Sequence, residues 1–406
     1  MSLLLLTKGN DITAWRAGSD FTTRYREALL NRMASSRSDE SIKLLDDSRA
    51  ELLHLAEEHT RHSAEIARIL QAMSEDGDLA PLVRQGFEEA YRHFDMFRSV
   101  RAFYGTAHEL LTAAVTSLAR QTAARMGASG RQLPEFSLAA VGPAGRLEFS
   151  PHCPLHLLLI HEPCPPAGES AVAALCEQLH TELTRCGIPI DREVSPLHPE
   201  WRGSREAWGH RIAGGLDSGK PETLIALSRL ADQTPLVASE LGTSFKQQCL
   251  KTLREHQGAR ENLIFRLKGL NNGLGLMGRL RLERGGKYHG LFDLLDNALI
   301  PLTAVIGALT LSFGGSATGT PQRIRELLDL RVLDVDLTER LMMAWHTLNE
   351  LRLGQESAPY LSAKSSSMYL DPDRLDNATH EELHAALDSF SVLQRQALMA
   401  FSLAGE

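Results

Sequence analysis

The sequence predicts a predominantly helical α+β protein in which a small mixed-sheet domain stands between an N-terminal and a C-terminal helical domain. Three observations predict it. Apolar residues recur at three-and-four spacing through the first third of the chain and again beyond Gly242, the period of an amphipathic helix. Between these regions, two short apolar runs flank a glycine-bearing turn, as paired strands do. A length of 406 residues, 43% apolar and 23% charged, allows two or three domains with their own cores. It excludes a disulfide-stapled module and a mainly disordered chain.

Over residues 21–126, Leu52, Leu53, Leu55, Ile66, Ile69 and Leu70 recur at helical spacing among Glu, Arg and His. Gly77, Pro81 and Gly105 divide this region into several helices. Helices with such a stripe must bury it on the chain or on another subunit, so the N-terminal helices are expected to self-associate or dock a protein partner. The period breaks at Gly127-Ala128-Ser129-Gly130. A strand follows at residues 136–141, then the turn Gly142-Pro143-Ala144-Gly145 and a second strand at 155–160. The pattern continues with a helix over 170–186, a loop containing Pro189, Pro196 and Pro199, and a helix over 201–216 with core residues Trp201 and Trp208 on one side. A strand near Val237 closes the domain. Boundaries are expected at 1–129, 130–240 and 241–406.

In the last part, helical periods cover 245–257, 292–310, 320–328, 337–353 and 381–401. Thr320 reads as an N-cap before Pro321, and Thr338 as another helix start. Ser365-Ser366-Ser367 and Asp371-Pro372-Asp373 read as a polar connection.

A formal charge of −8 provides no general attraction to nucleic acid or anionic membrane, and neither is an expected partner. Cys153, Cys164, Cys176, Cys186 and Cys249 form no C-x-x-C pair. Their odd number suits free thiols in a reducing compartment, so a cytoplasmic location is expected. The leucine-rich opening has no basic n-region and breaks at Lys8-Gly9-Asn10, unlike an export signal. The apolar run at 299–313 is interrupted by Pro301 and Gly307 and falls short of the roughly 20 residues of a membrane span.

The segment Gly142-Pro143-Ala144-Gly145-Arg146-Leu147-Glu148 resembles the G-x-x-G-R-x-E signature of the nucleotidyltransferase superfamily that includes the protein-PII uridylyltransferases and glutamine synthetase adenylyltransferases. The chain more specifically resembles the signal-transduction nucleotidyltransferases of domain of unknown function 294. Cys186-Gly187-Ile188-Pro189, His198-Pro199-Glu200-Trp201 and Trp208 carry that resemblance. So do the block from Leu274 to Gly286 and Leu299-Ile300-Pro301, which match the family's companion C-terminal domain. These blocks span residues 136–401, and helices stand where many relatives have CBS or cyclic-nucleotide modules. The resemblance implies a nucleotidyltransferase-like central domain in which Gly142, Gly145 and Arg146 meet a nucleotide's phosphates. It also implies a strand with two aspartates one residue apart, whose same-facing carboxylates hold a pair of Mg²⁺ ions.

Counted from Glu148, those two aspartate positions hold Pro154 and His156. Proline has no side-chain ligand, and imidazole is a poor partner for Mg²⁺. Glu148 and Asp232, the latter matching the family's third carboxylate, are the residual catalytic candidates. Pro143 removes an N–H from the phosphate-facing turn. Asp293-Leu294-Leu295-Asp296 stands where relatives carry a Lys-Lys pair. The expectation is a catalytically degenerate nucleotidyltransferase-like protein with a regulatory or scaffolding role in signal transduction, requiring Mg²⁺ and a nucleoside triphosphate only if its site is active. Two alternatives stay open: a working enzyme that transfers a nucleoside monophosphate to a protein or small-molecule hydroxyl, and a helical assembly module with a purely structural central domain.

His152, Cys153, His156, His161 and Cys164 lie within thirteen positions, a mixture zinc accepts. Strand parity places His156 and His161 on opposite faces, and Pro154 and Pro163 constrain the turns. Partly buried histidines and structural thiols are therefore expected, with no metal site and no nucleophilic role for Cys153. Arg146 and Glu148 are expected to pair and shape the turn, and Arg279, Arg281, Arg284 and Lys287 to form a solvated face.

Overall fold

The computed structural model describes residues 38–75, 77–218, 220, 228–256, 270–364 and 366–403. The leucine-rich opening and the first part of the N-terminal helical pattern lie outside the described residues.

Three helices come first: α1 (Ser38–Met73), α2 (Ala80–Phe97) and α3 (Val100–Ala128). Pro81 stands in the first turn of α2, where a missing N–H costs no helical hydrogen bond. Arg98, at φ 51°, ends that helix, and the Ser99 side chain caps α3 by accepting the Ala102 N–H. Ile66 and Ile69 join Phe87, Phe94 and Leu110 in the core, whereas Leu53 remains 55% exposed. Among the described residues, the apolar stripe of α1 is thus only partly buried.

Four strands form the central sheet: β1 (Phe136–Val141), β2 (His156–His161), β3 (Arg202–Ser204) and β4 (Thr234–Val237), in the order β3-β2-β1-β4. β1 runs antiparallel to β2, with Phe136 opposite His161 and Val141 opposite His156. β4 is antiparallel to β1, and β3 is parallel to β2. Alternation sends Leu138, Ala140, Leu157 and Leu159 into a core shared with the N-terminal helices and α4 (Pro166–Arg185). The other face, with Ala139, Val141, Leu158 and Ile160, packs with Trp208 and Ile212 of α5 (Arg205–Ser218) and Phe245 and Cys249 of α6 (Glu240–Glu255).

The expected helix over 201–216 is instead a 3-10 turn, Pro199–Trp201, followed by β3 and then α5. Arg211 provides the physical reason. Its guanidinium donates to the carbonyls of Pro199 (2.5 Å), Glu200 (2.6 Å) and Arg202 (2.8 Å), holding the segment extended. It lies over Gly203, at φ 153°, where a Cβ would come within 2.2 Å of Nη2. Trp201 and Trp208 therefore belong to different elements, yet both are buried and their rings meet edge to face at 6.2 Å.

In the C-terminal part, β5 (Phe292–Asp293) pairs with β6 (Tyr369–Leu370) before a π-helical turn, Leu295–Leu299. The expected helix at 292–310 begins late because Asp293 Oδ1 accepts the N–H groups of Leu295 and Asp296. Then follow α7 (Ile300–Ser312), α8 (Thr320–Asp329), α9 (Val335–Leu361) and α10 (Asn377–Leu403). Two expected starts move: Gly319 is the N-cap of α8, and Asp334 caps α9 by accepting the Leu337 N–H, ahead of Thr338. The stretch Leu295–Ser312 is long and apolar enough to cross a membrane by length and composition alone, but 67% of it is buried inside the protein, as in a core helix.

Candidate functional site

The site forms where β1 ends. Gly142 leaves the strand at φ 61°, and a Cβ there would sit 2.6 Å from His156 Nδ1. Gly145 packs more closely still. Any Cβ would lie 1.9 Å from the Asp232 carbonyl oxygen, so only glycine lets the turn rest on the segment entering β4. Thr234 Oγ1 holds that approach by donating to the Gly145 carbonyl at 2.6 Å. Leu147, at φ 64°, then turns the chain inward and delivers Glu148 to the interior.

All four carboxylate oxygens of Glu148 and Asp232 have partners. Glu148 accepts from Arg146 Nε at 3.1 Å and from Trp345 Nε1 of α9 at 2.8 Å. Asp232 pairs through one oxygen with Arg146 Nη1 at 2.9 Å and through the other with Arg323 Nη2 of α8 at 2.7 Å. Burial opposes the charge of Arg146, but the Glu148 and Asp232 carboxylates outweigh it and raise its pKa. The expected Arg146–Glu148 pair is therefore one side of a larger buried cluster. Arg323 also donates to the carbonyls of Ala231 (3.0 Å) and Ala317 (2.9 Å), so its orientation is set by the backbone on both sides. Nearby, Lys246 donates to Thr318 Oγ1 at 2.6 Å; burial lowers its pKa, with Arg323 adding to the effect and Asp232 opposing it.

His156 opens β2 with its ring over Gly142. Burial lowers its pKa, and Asp191, whose Oδ2 lies 3.5 Å from Nε2, opposes that shift. Nδ1 has no hydrogen-bond partner among the described residues. Asp191 itself is raised by burial but held below the usual carboxylate range overall by the Val194 and Glu193 N–H groups it accepts. Pro154 is exposed, just ahead of the strand. Between Pro154 and His156, Leu155 is fully buried and bridges Ile190, so the two positions flank an inward-pointing side chain.

A second polar cluster ties this loop to the helices. Buried Arg352 of α9 donates to Ser150 Oγ at 2.9 Å and to Glu356 at 2.9 Å, and Glu356 accepts the Tyr91 hydroxyl of α2 at 3.0 Å. Tyr104 of α3 donates to Asn349 Oδ1 at 2.7 Å. The turn that starts at Gly142 is thereby connected to helices from both ends of the chain.

Of the residues singled out from sequence, Gly142, Gly145, Arg146, Glu148, His156 and Asp232 converge, and Pro154 lies at the rim. His152 diverges, with its ring against Tyr91 and Tyr360, and burial raises the thiol pKa of neighbouring Cys153. His161 and Cys164 lie at the other end of β2. Arg279, Arg281, Arg284 and Lys287 are exposed, and Asp293 serves as a local cap. Arg323, Trp345, Arg352 and Asp191 were not anticipated. The three from α8 and α9 carry no local motif that points to the site, since their contacts with Asp232, Glu148 and Ser150 each span more than ninety residues of chain.

The description "Putative nucleotidyltransferase DUF294" fits residues 84–222, and "Putative nucleotidyltransferase substrate binding domain" fits residues 262–401. The first match begins within α2, well ahead of the first sequence block at 136. A search of curated proteins found no match.

Proposed function

The chain belongs to the DUF294 nucleotidyltransferase family, and from that premise we propose that it is a catalytically degenerate member with a regulatory or scaffolding role in signal transduction. One observation carries this reading: Asp232 is clamped between Arg146 and Arg323, at 2.9 and 2.7 Å. A carboxylate that binds Mg²⁺ must offer its oxygens to the ion. Here both are held by buried guanidinium groups, whose removal would leave unpaired charge in the interior.

The remaining donor set does not fit Mg²⁺ either. Pro154 offers no ligand, and His156 offers an imidazole nitrogen where a hard oxygen is required. The His156 ring also occupies the space above Gly142, and Pro143 supplies no N–H to a phosphate there. This donor set supports no metal-assisted transfer step. What it does well is hold domains together, because its polar groups join the central sheet to α8 and α9. The half-covered stripe of α1, with Leu53 exposed, supports self-association or docking of a protein partner through the N-terminal helices.

Calorimetry of the full-length protein with nucleoside triphosphates, with and without Mg²⁺ or Mn²⁺, tests the reading. No metal-dependent binding is expected, and labelled triphosphate should leave no covalent nucleotide on candidate acceptors. Labelling that disappears in Glu148→Ala or Asp232→Ala would instead establish a working transferase with a rearranged site.

A further inference from the structure

At the far end of β2 from the glycine turn, we propose a site for a single zinc-like transition-metal ion held by His161 Nε2, Cys164 Sγ and Glu169. One ligand atom from each lies within 4.8 Å of the others, and Cys164 Sγ stands 3.9 Å from the ring at Nδ1. His161 is fully buried, and its Nδ1 is 2.8 Å from the Glu162 carbonyl oxygen. An Nδ1–H donating to that oxygen leaves Nε2 as a bare lone pair, the arrangement in which metal-binding imidazoles are usually held. Among the described residues Nε2 has no hydrogen-bond partner, although Glu169 Oε2 lies 3.4 Å away. Two tetrahedral ligands with bonds of about 2.0–2.1 Å stand roughly 3.4 Å apart.

The local sequence makes this end rigid. Pro163, Pro165 and Pro166 surround Cys164, and Glu169 lies in the first turn of α4. Gly168 leaves room for the thiol: a Cβ there would lie 2.8 Å from Cys164 Sγ. The spacing is H-x-x-C followed by glutamate five positions later. Imidazole, thiolate and carboxylate together favour zinc over Mg²⁺ or Ca²⁺, and three protein ligands leave a fourth position for water. On binding, the Cys164 S–H bond breaks, its proton goes to solvent and the sulfur lone pair binds the ion, so affinity should rise about tenfold per pH unit below the thiol pKa.

The proposal is independent of the state of the Gly142 site and is tested on full-length protein stripped with a chelator. Titration with Co²⁺ should develop a thiolate-to-cobalt charge-transfer band saturating at one ion per chain, and Zn²⁺ should abolish it. Cys164→Ser should remove the band with the other four cysteines intact, and Glu169→Gln should weaken binding at least tenfold. Both positions are partly exposed, so their variants should keep the parent circular dichroism, whereas His161→Ala risks unfolding. Absence of the band in the parent, or a band unchanged in Cys164→Ser, overturns the proposal.

Discussion

The two ends of β2 each hold a histidine with a carboxylate beside it and one ring nitrogen unpartnered among the described residues, but they differ in what surrounds that ring. At the His156 end, the carboxylates of Glu148 and Asp232 are paired with arginine or tryptophan, and the surrounding polar groups come from distant helices. At the His161 end, a buried imidazole nitrogen lacks a hydrogen-bond partner, and a thiol and a half-exposed carboxylate lie beside it. Charge that has been neutralised from within serves cohesion. A buried nitrogen lone pair beside a thiol and a carboxylate retains the capacity to bind something else.

The comparison can be broken most directly at Arg323. Arg323→Ala leaves Asp232 with one cation and strips donors from the Ala231 and Ala317 carbonyls, so unfolding free energy should fall by about 3–5 kcal/mol. Urea denaturation followed by tryptophan fluorescence measures it. A loss below about 1 kcal/mol would mean the clamp is not structural.

Gly142→Ala comes next. A left-handed φ costs an alanine about 1–2 kcal/mol, and its Cβ would displace the His156 ring. His156→Ala in the same background should recover the steric part and leave the backbone part. If the double variant is no more stable than the single one, the ring does not lie over the turn.

The His156 end should also respond to acid. Burial depresses the folded pKa of His156, so the native state resists a proton that the unfolded chain accepts near pH 6.5. Its contribution is complete above that pH and is lost as pH falls below it, by at most about 1.4 kcal/mol per unit. His156→Gln should flatten the decline between pH 6.5 and 5. A residual slope will remain from α2, where burial, with His62 and His59 adding, pushes His93 down to about 3. An identical pH profile in His156→Gln would remove His156 from this account.

The smallest effect is expected at the other end. Without added metal, Glu169→Gln should change stability by less than about 1 kcal/mol, because Glu169 is half-exposed and meets a neutral imidazole nitrogen at 3.4 Å. A larger loss by thermal denaturation would make that pair a structural one and erase the contrast between the two ends.

Much of the fold was legible because its signals are local. Alternation placed β1 at its observed bounds and β2 within one residue, and the three-and-four period located the helices on either side. Gly142 and Gly145 marked the turn. The strand at Arg202–Ser204 was not legible, because three residues provide too little alternation and the restraint comes from Arg211 on the next helix.

The candidate site was legible only as a set of positions. Through the family resemblance, the sequence implied that Pro154 and His156 stand where relatives carry metal ligands, with Glu148 and Asp232 as the residual carboxylates. Only the tertiary structure decided what those two carboxylates do. Glu148 meets Trp345 across 197 residues of chain, and Asp232 meets Arg323 from a helix in another part of the fold. Such partners leave no periodic trace, because burial and hydrogen bonding between distant segments depend on how helices pack rather than on spacing along the chain. The same holds for Glu169: strand parity correctly separated His161 from His156, but only the packed start of α4 brings a carboxylate to the imidazole and the thiol.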